Sequence, residues 1–235
     1  MNKYGKIFII VLFLLFLIIG VSGCMKNGSE NAEHIKDDML SYMNEKYGEE
    51  FELFDIDTQV WSASYTEMLV KSKDYPSEII TVRRNYKTGK IKDNFISIIL
   101  KKDIEDKIHE LAGQVYPRSL VVFTPTGLTL PEEYNKNTTA DVYCKEQVLT
   151  FLLLIEDNPT AVAREDDLEQ FRQVLEKEGY QCNITIGYLN EGYYDSLSKL
   201  ELDDTVFDDA KGYVNTSGVF IMDKEFKFKS VEWSD

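Results

Sequence analysis

Apolar positions recur along this chain with two periods, and the switches between them outline its elements. Ile35, Met39, Met43 and Tyr47 repeat every four residues with Leu40 beside them, which predicts an amphipathic helix over 33–47 that stops at Gly48. Strand-like stretches follow at 51–56 with Val60-Trp61, at 67–71 and at 78–85, and Lys87-Thr88-Gly89-Lys90 has turn composition. Residues 94–100, rich in Ile and Phe, read as a fourth, well-buried strand. The four-residue period returns over 102–116, where Ile104, Ile108, Leu111, Ala112 and Val115 share a face and Pro117 ends the helix.

The second half repeats the alternation. Residues 120–123 are strand-like, and the polar 131–143 reads as a helix followed by a loop. Residues 147–155 are the most apolar segment outside the N-terminus and predict an interior strand. Leu168, Phe171, Val174 and Leu175 place a helix over 165–178, stopped by Gly179, with Glu165-Asp166-Asp167 in its first turn, where the helix dipole favours carboxylates. Cys182, Ile184, Ile186 and Tyr188 alternate against Asn183, Thr185 and Gly187, the mark of a half-buried strand. A short helix is expected over 191–200, and 219–222 and 225–231 suit a closing hairpin around Asp223-Lys224.

Runs of strands with segregated helices predict an α+β fold of mostly antiparallel sheets with helices packed on one face. The Pro, Gly and Asn content of 124–137 marks a boundary, giving one lobe over 33–123 and a second over 138–235, either as two small sandwiches or as one continuous domain.

The N-terminus has a pattern of its own. Lys3 and Lys6 form a basic head, 7–21 is apolar, and Val21-Ser22-Gly23-Cys24 follows. A basic head, an apolar stretch of roughly 7–15 residues and small residues before the cut describe a secretory signal, and a spanning helix needs roughly 17–25 residues, so an uncleaved anchor is the competing expectation. Val21-Ser22-Gly23-Cys24 resembles the lipobox of bacterial lipoproteins. That resemblance implies a signal peptide over 1–23, a diacylglycerol on the Cys24 thiol, cleavage before Cys24, and residence on the extracytoplasmic face of the cell membrane. Residues 24–32 then read as a short polar tether. The helix ending in Tyr47-Gly48-Glu49-Glu50-Phe51, followed by a strand bearing Trp61, resembles uncharacterised exported lipoproteins of Gram-positive bacteria, which implies no site residues.

Composition narrows the partners. A net charge of −15 repels nucleic acid and anionic head groups, so no nucleic-acid partner is expected. With 43% hydrophobic and 12% aromatic residues over 235 positions, the chain has ample material for a core. Cys144 and Cys182 leave open both a disulfide and two separate buried thiols.

Candidate chemistry is sparse. His34 and His109 are the two histidines, and neither stands at metal-ligand or triad spacing with partners. Asp203-Asp204 and Asp208-Asp209 are acidic pairs without the ligand spacing or central Gly of a calcium loop. No cofactor, no metal and no catalytic residue is expected. Tyr188, Tyr193 and Tyr194, with Tyr213 and Gly187, Gly192 and Gly212 nearby, are the candidate binding residues, since Tyr beside Gly offers an apolar ring with a polar tip for a peptide or a sugar. The function expected is non-enzymatic binding of a protein or peptide partner by a membrane-held domain. A solute-binding lipoprotein and a cell-envelope hydrolase are the alternatives.

Overall fold

The structure is a computed structural model that describes residues 26–57, 64–157, 159–200, 202 and 212–234. Residues 1–23, Cys24, Val60-Trp61 and the acidic pairs between 203 and 209 lie outside the described residues. The chain has an α+β fold with two sheets, and it divides between Lys92 and Asp93 into two compact units. Among the described residues no helix is long and apolar enough to cross a membrane.

In the first unit, helix α1 (Lys26–Tyr47) precedes strands β1 (Phe51–Asp57), β2 (Tyr65–Ser72), β3 (Ile80–Asn85) and β4 (Ile91–Asp93), which lie in the order β1-β2-β3-β4. The helix begins at Lys26 rather than at 33. Residues 26–32, read as tether, are therefore helical, and their polar sequence carries no period from which to place a start. Gly48 ends the helix with a φ of 65°, a left-handed conformation that glycine adopts without strain. Met39, Met43 and Tyr47 of α1 are buried, as are Met68, Val70, Ile80 and Val82 of the sheet. The polar side of the sheet carries Arg83, paired with Glu67 at 2.7 Å and lying 4.7 Å over the Tyr65 ring.

The second unit opens on two consecutive helices, α2 (Phe95–Ile99) and α3 (Lys101–Ala112). The fourth strand expected over 94–100 is thus a helix. An apolar run this short, buried all round, has no period to separate strand from helix. Local bonds decide it: the Phe95 N–H donates to Asp93 Oδ1 at 2.9 Å, and Ser97 Oγ donates to the Asn94 carbonyl at 2.7 Å.

Strand β5 (Ser119–Phe123) follows, then a loop, α4 (Ala140–Glu146), β6 (Leu149–Ile155), α5 (Ala161–Glu178), β7 (Cys182–Leu189), α6 (Tyr194–Leu197), β8 (Val214–Met222) and β9 (Phe228–Ser234). The sheet order is β5-β6-β7-β8-β9. Every neighbouring pair is antiparallel except β6–β7, which is parallel and is connected by α5. Pairing of β5 with β6 places 119–123 in the second unit, so the division falls at Lys92, not at 124–137.

Two helix boundaries also differ from expectation. The 131–143 stretch is a loop followed by a helix, because Thr139 caps α4 by accepting the Val142 N–H at 3.3 Å. Thr160 caps α5 in the same way through the Ala163 N–H, so that helix starts before 165 and Glu165-Asp166-Asp167 stand beyond its first turn. Cys144 and Cys182 are separate buried thiols, and burial pushes the Cys144 thiol up to about 12 and raises Cys182 as well.

Candidate functional site

The five-stranded sheet has two faces of different chemistry. One is core: Leu149, Phe151, Leu153 and Ile155 of β6, Cys182, Ile184, Ile186 and Tyr188 of β7, and Phe220 and Met222 of β8 are all buried. Ile104, Ile108 and Ala112 of α3 and Leu168, Phe171 and Leu175 of α5 are buried as well. Trp233 of β9 closes this layer. Its ring lies 4.9 Å from Phe220 and its indole N–H donates to Glu165 of α5 at 2.8 Å.

The alternate residues form the other face. In register across the strands, Thr124 meets Thr150, Thr150 meets Asn183 and Asn183 meets Ile221. The next row is Val122, Leu152, Thr185 and Val219, and the one after it Leu120, Leu154, Gly187 and Ser217. None of these positions on β5 through β8 is charged, in a chain whose net charge is −15. Beyond them lies the edge strand β9, in which Glu232 is in backbone register with Val219. Val219 and Ile221 are 52% and 48% exposed. Isolated β-branched residues on a surface are ordinary, but these two share one strand beside Asn183 and Thr185, both half-buried, with Thr150 exposed next to Asn183.

One end of this face is apolar and covered. Val122, Leu152, Leu154, Leu189 and Leu197 form a buried cluster against which Leu120, Tyr194, Leu202, Tyr213 and Val214 pack. The other end opens on a cleft of about 200 Å³ lined by Phe123, Thr124, Pro125, Thr126, Gly127, Tyr143, Val148 and Thr150. Ligand pockets usually run to roughly 300–1,000 Å³, so this one suits a single side chain rather than a whole solute. Its loop is fixed by Asn94, whose side-chain amide donates to the Thr126 carbonyl at 2.7 Å.

The three tyrosines singled out from sequence do not come together. Tyr188 is 1% exposed and faces the helices, 5.8 Å from the Trp233 ring, and burial together with the Asp167 carboxylate raises its pKa. Tyr193 is partly exposed and lies 4.7 Å from Tyr213. Tyr194 sits beneath the Arg118 guanidinium at 4.4 Å. Sequence reasoning missed Thr150, Thr185, Val219, Ile221 and Arg118. The signal for Val219 and Ile221 was present, since apolar residues at both parities in 219–222 mean that each side of that strand carries them.

No cluster of three or more His, Cys, Asp or Glu that could hold a metal occurs among the described residues. His34 pairs with Asp38 at 3.4 Å, and His109 is exposed on α3.

No protein-family model matches the chain, and no curated protein matches it. Among solved structures the chain is similar to the crystal structure of a DUF5037 family protein from Ruminococcus gnavus ATCC 29149, at 17% identity and a TM-score of 0.40, over 82% of this chain and 93% of that one. That likeness is too distant to bear on fold or function.

Proposed function

We propose that this protein is a lipid-anchored, extracytoplasmic binding module that takes a protein or peptide partner on the uncharged face of its second sheet. The observation that carries the binding role is the neutral surface of β5 through β8 on a strongly acidic molecule. A partner laid there meets hydroxyls and amides from Thr124, Thr150, Asn183, Thr185 and Ser217, and apolar contact from Val219 and Ile221, without desolvating any charge on those four strands. The adjoining cleft accepts one side chain and lends register. The anchor is supported by the lipobox-like Val21-Ser22-Gly23-Cys24 behind a basic head and an apolar run. Two acyl chains hold a protein at a membrane where a single chain gives only marginal binding.

One experiment addresses both parts in the native host. A photo-reactive phenylalanine analogue is placed at 219, at 185 or at the exposed Lys177 of α5, each in the full chain. The wild-type product is weighed by mass spectrometry alongside Cys24→Ala. The expected result is adducts from 219 and 185 but not from 177, a wild-type product that begins at a diacylglyceryl-modified Cys24, and an unprocessed, unlipidated Cys24→Ala. Equal adducts from 177, or none from 219 and 185, overturn the binding surface. An intact N-terminus on the wild-type product overturns the anchor.

A further inference from the structure

Helix α6 covers the apolar end of the neutral sheet face, and it is poorly equipped to stay there alone. It has four residues and no side-chain cap at its N-terminus. Isolated helices shorter than about 12–15 residues are marginal in water, so α6 depends on what holds it. Two kinds of contact do so. Leu197 is buried among Val122, Leu152, Leu154 and Leu189. Arg118, one residue before β5, supplies the other.

A single guanidinium there makes three contacts. Arg118 Nε donates to the Glu156 carboxylate just after β6, Nη2 donates to Asp195 Oδ1 at 3.0 Å, and the plane lies 4.4 Å over the Tyr194 ring. The Glu156 N–H also donates to the Arg118 carbonyl at 2.9 Å, so Arg118 and Glu156 form a fixed end of the sheet. Asp195 and Tyr194 belong to α6 and are held to that end through the cation. On its other flank α6 is tethered by Tyr193 against Tyr213, and by the Asn190 N–H donating to the Tyr213 carbonyl at 2.7 Å. The helix therefore has a packed side and an ionic side. The ionic side is open to solvent, because Asp195 is 71% exposed and Arg118 is about half exposed. Exposed pairs of this kind are weak and screened by salt.

We propose that α6 is a displaceable cover latched by Arg118. When the Arg118–Asp195 contact opens, α6 swings away on the Tyr193–Tyr213 side and lifts Leu197 and Tyr194 off Val122, Leu152, Leu154 and Leu189, on which Tyr213 and Val214 stay packed. An apolar side chain from a partner then replaces Leu197. This inference rests on the binding surface proposed above, but its test needs no partner, so the two fail separately.

The test is hydrogen exchange on the full chain in detergent micelles. The reporting amides are Leu197 and Ser198, which donate to the carbonyls of Tyr193 and Tyr194. Arg118→Ala should speed their exchange about tenfold while amides of β6 and β7 keep their wild-type rates, and Arg118→Lys should fall between. Raising sodium chloride from about 0.05 M to about 1 M should speed the same amides in wild type and add nothing in Arg118→Ala. Asp195→Asn, on an exposed side chain, removes one arm and should give about a threefold increase, which keeps the test open if Arg118→Ala does not fold. Unchanged exchange at 197–198 in these variants, or equal acceleration across β6 and β7, overturns the latch. Loss of adducts from 219 with the latch intact instead overturns the partner surface.

Discussion

At the scale of single residues, the second sheet depends on what is missing at Gly218. A Cβ there would stand 2.6 Å from Phe220 Cζ and 2.9 Å from Trp233 Cε3, both ring atoms in the layer that packs on the helices. Propensity alone favours alanine, since glycine inside a strand costs roughly 0.5–1 kcal/mol. Overpacking works the other way and costs about 1–3 kcal/mol, so Gly218→Ala is expected to lower the urea midpoint. A midpoint equal to or above wild type would mean that the two rings give way freely. Charge acts at the same scale in α5. Arg172, and then Gln173, hold the Glu169 carboxyl down at about 2, against an ordinary value of 4.5. A carboxylate with a depressed pKa stabilises the folded state above its unfolded value, and that contribution is lost as pH falls toward the folded value. Wild type should therefore lose more stability than Glu169→Gln between about pH 4.5 and pH 2, and the two should converge near pH 2. Parallel pH profiles would remove the pairing from the stability of α5. The effect is modest, because the Glu169 side chain is 53% exposed.

At the scale of elements, legibility followed periodicity. α3, β6 and β7 and the C-terminal ends of α1 and α5 are where their apolar spacing put them, because the helices bury one stripe, β7 alternates over its first half, and β6 is apolar on both faces. Apart from the start of α1, the misplacements share one cause: side-chain to backbone bonds that a periodic pattern does not register. Asp93 and Ser97 turn 94–100 into a helix, Thr139 moves α4 behind its loop, and Thr160 starts α5 before its acidic cluster. Thr160→Ala should cost about 1 kcal/mol and Thr160→Ser much less. The measurement is urea unfolding followed by helical circular dichroism, and equal midpoints for Thr160→Ala and wild type would show that the Ala163 N–H is as well served by water. Of the candidate site, the tyrosine and glycine cluster was visible as composition. Its division between two faces was not, because Tyr188 falls on the buried parity of β7 while Tyr193 and Tyr194 lie past the strand's end. Arg118 could not be chosen from sequence, since its partners Glu156 and Asp195 are distant along the chain and resemble many other acids.

At the scale of the molecule, charge and topology each set a condition on behaviour. A strongly acidic protein keeps other acidic surfaces at a distance, and an uncharged sheet face is the region where that repulsion is weakest. Encounters with another acidic surface are thereby biased toward that side without any attraction being built in. Topology sets the second condition. The second sheet consists of two antiparallel blocks, β5 with β6 and β7 with β8 and β9, and they meet only along β6–β7. Each block can zip from local turns and loops, but the parallel join requires all of α5 to be in place first. During synthesis, β6 leaves the ribosome with one edge unmatched and keeps it so until Leu189 has emerged. For that interval the most apolar strand of the second unit is an open template for another nascent chain.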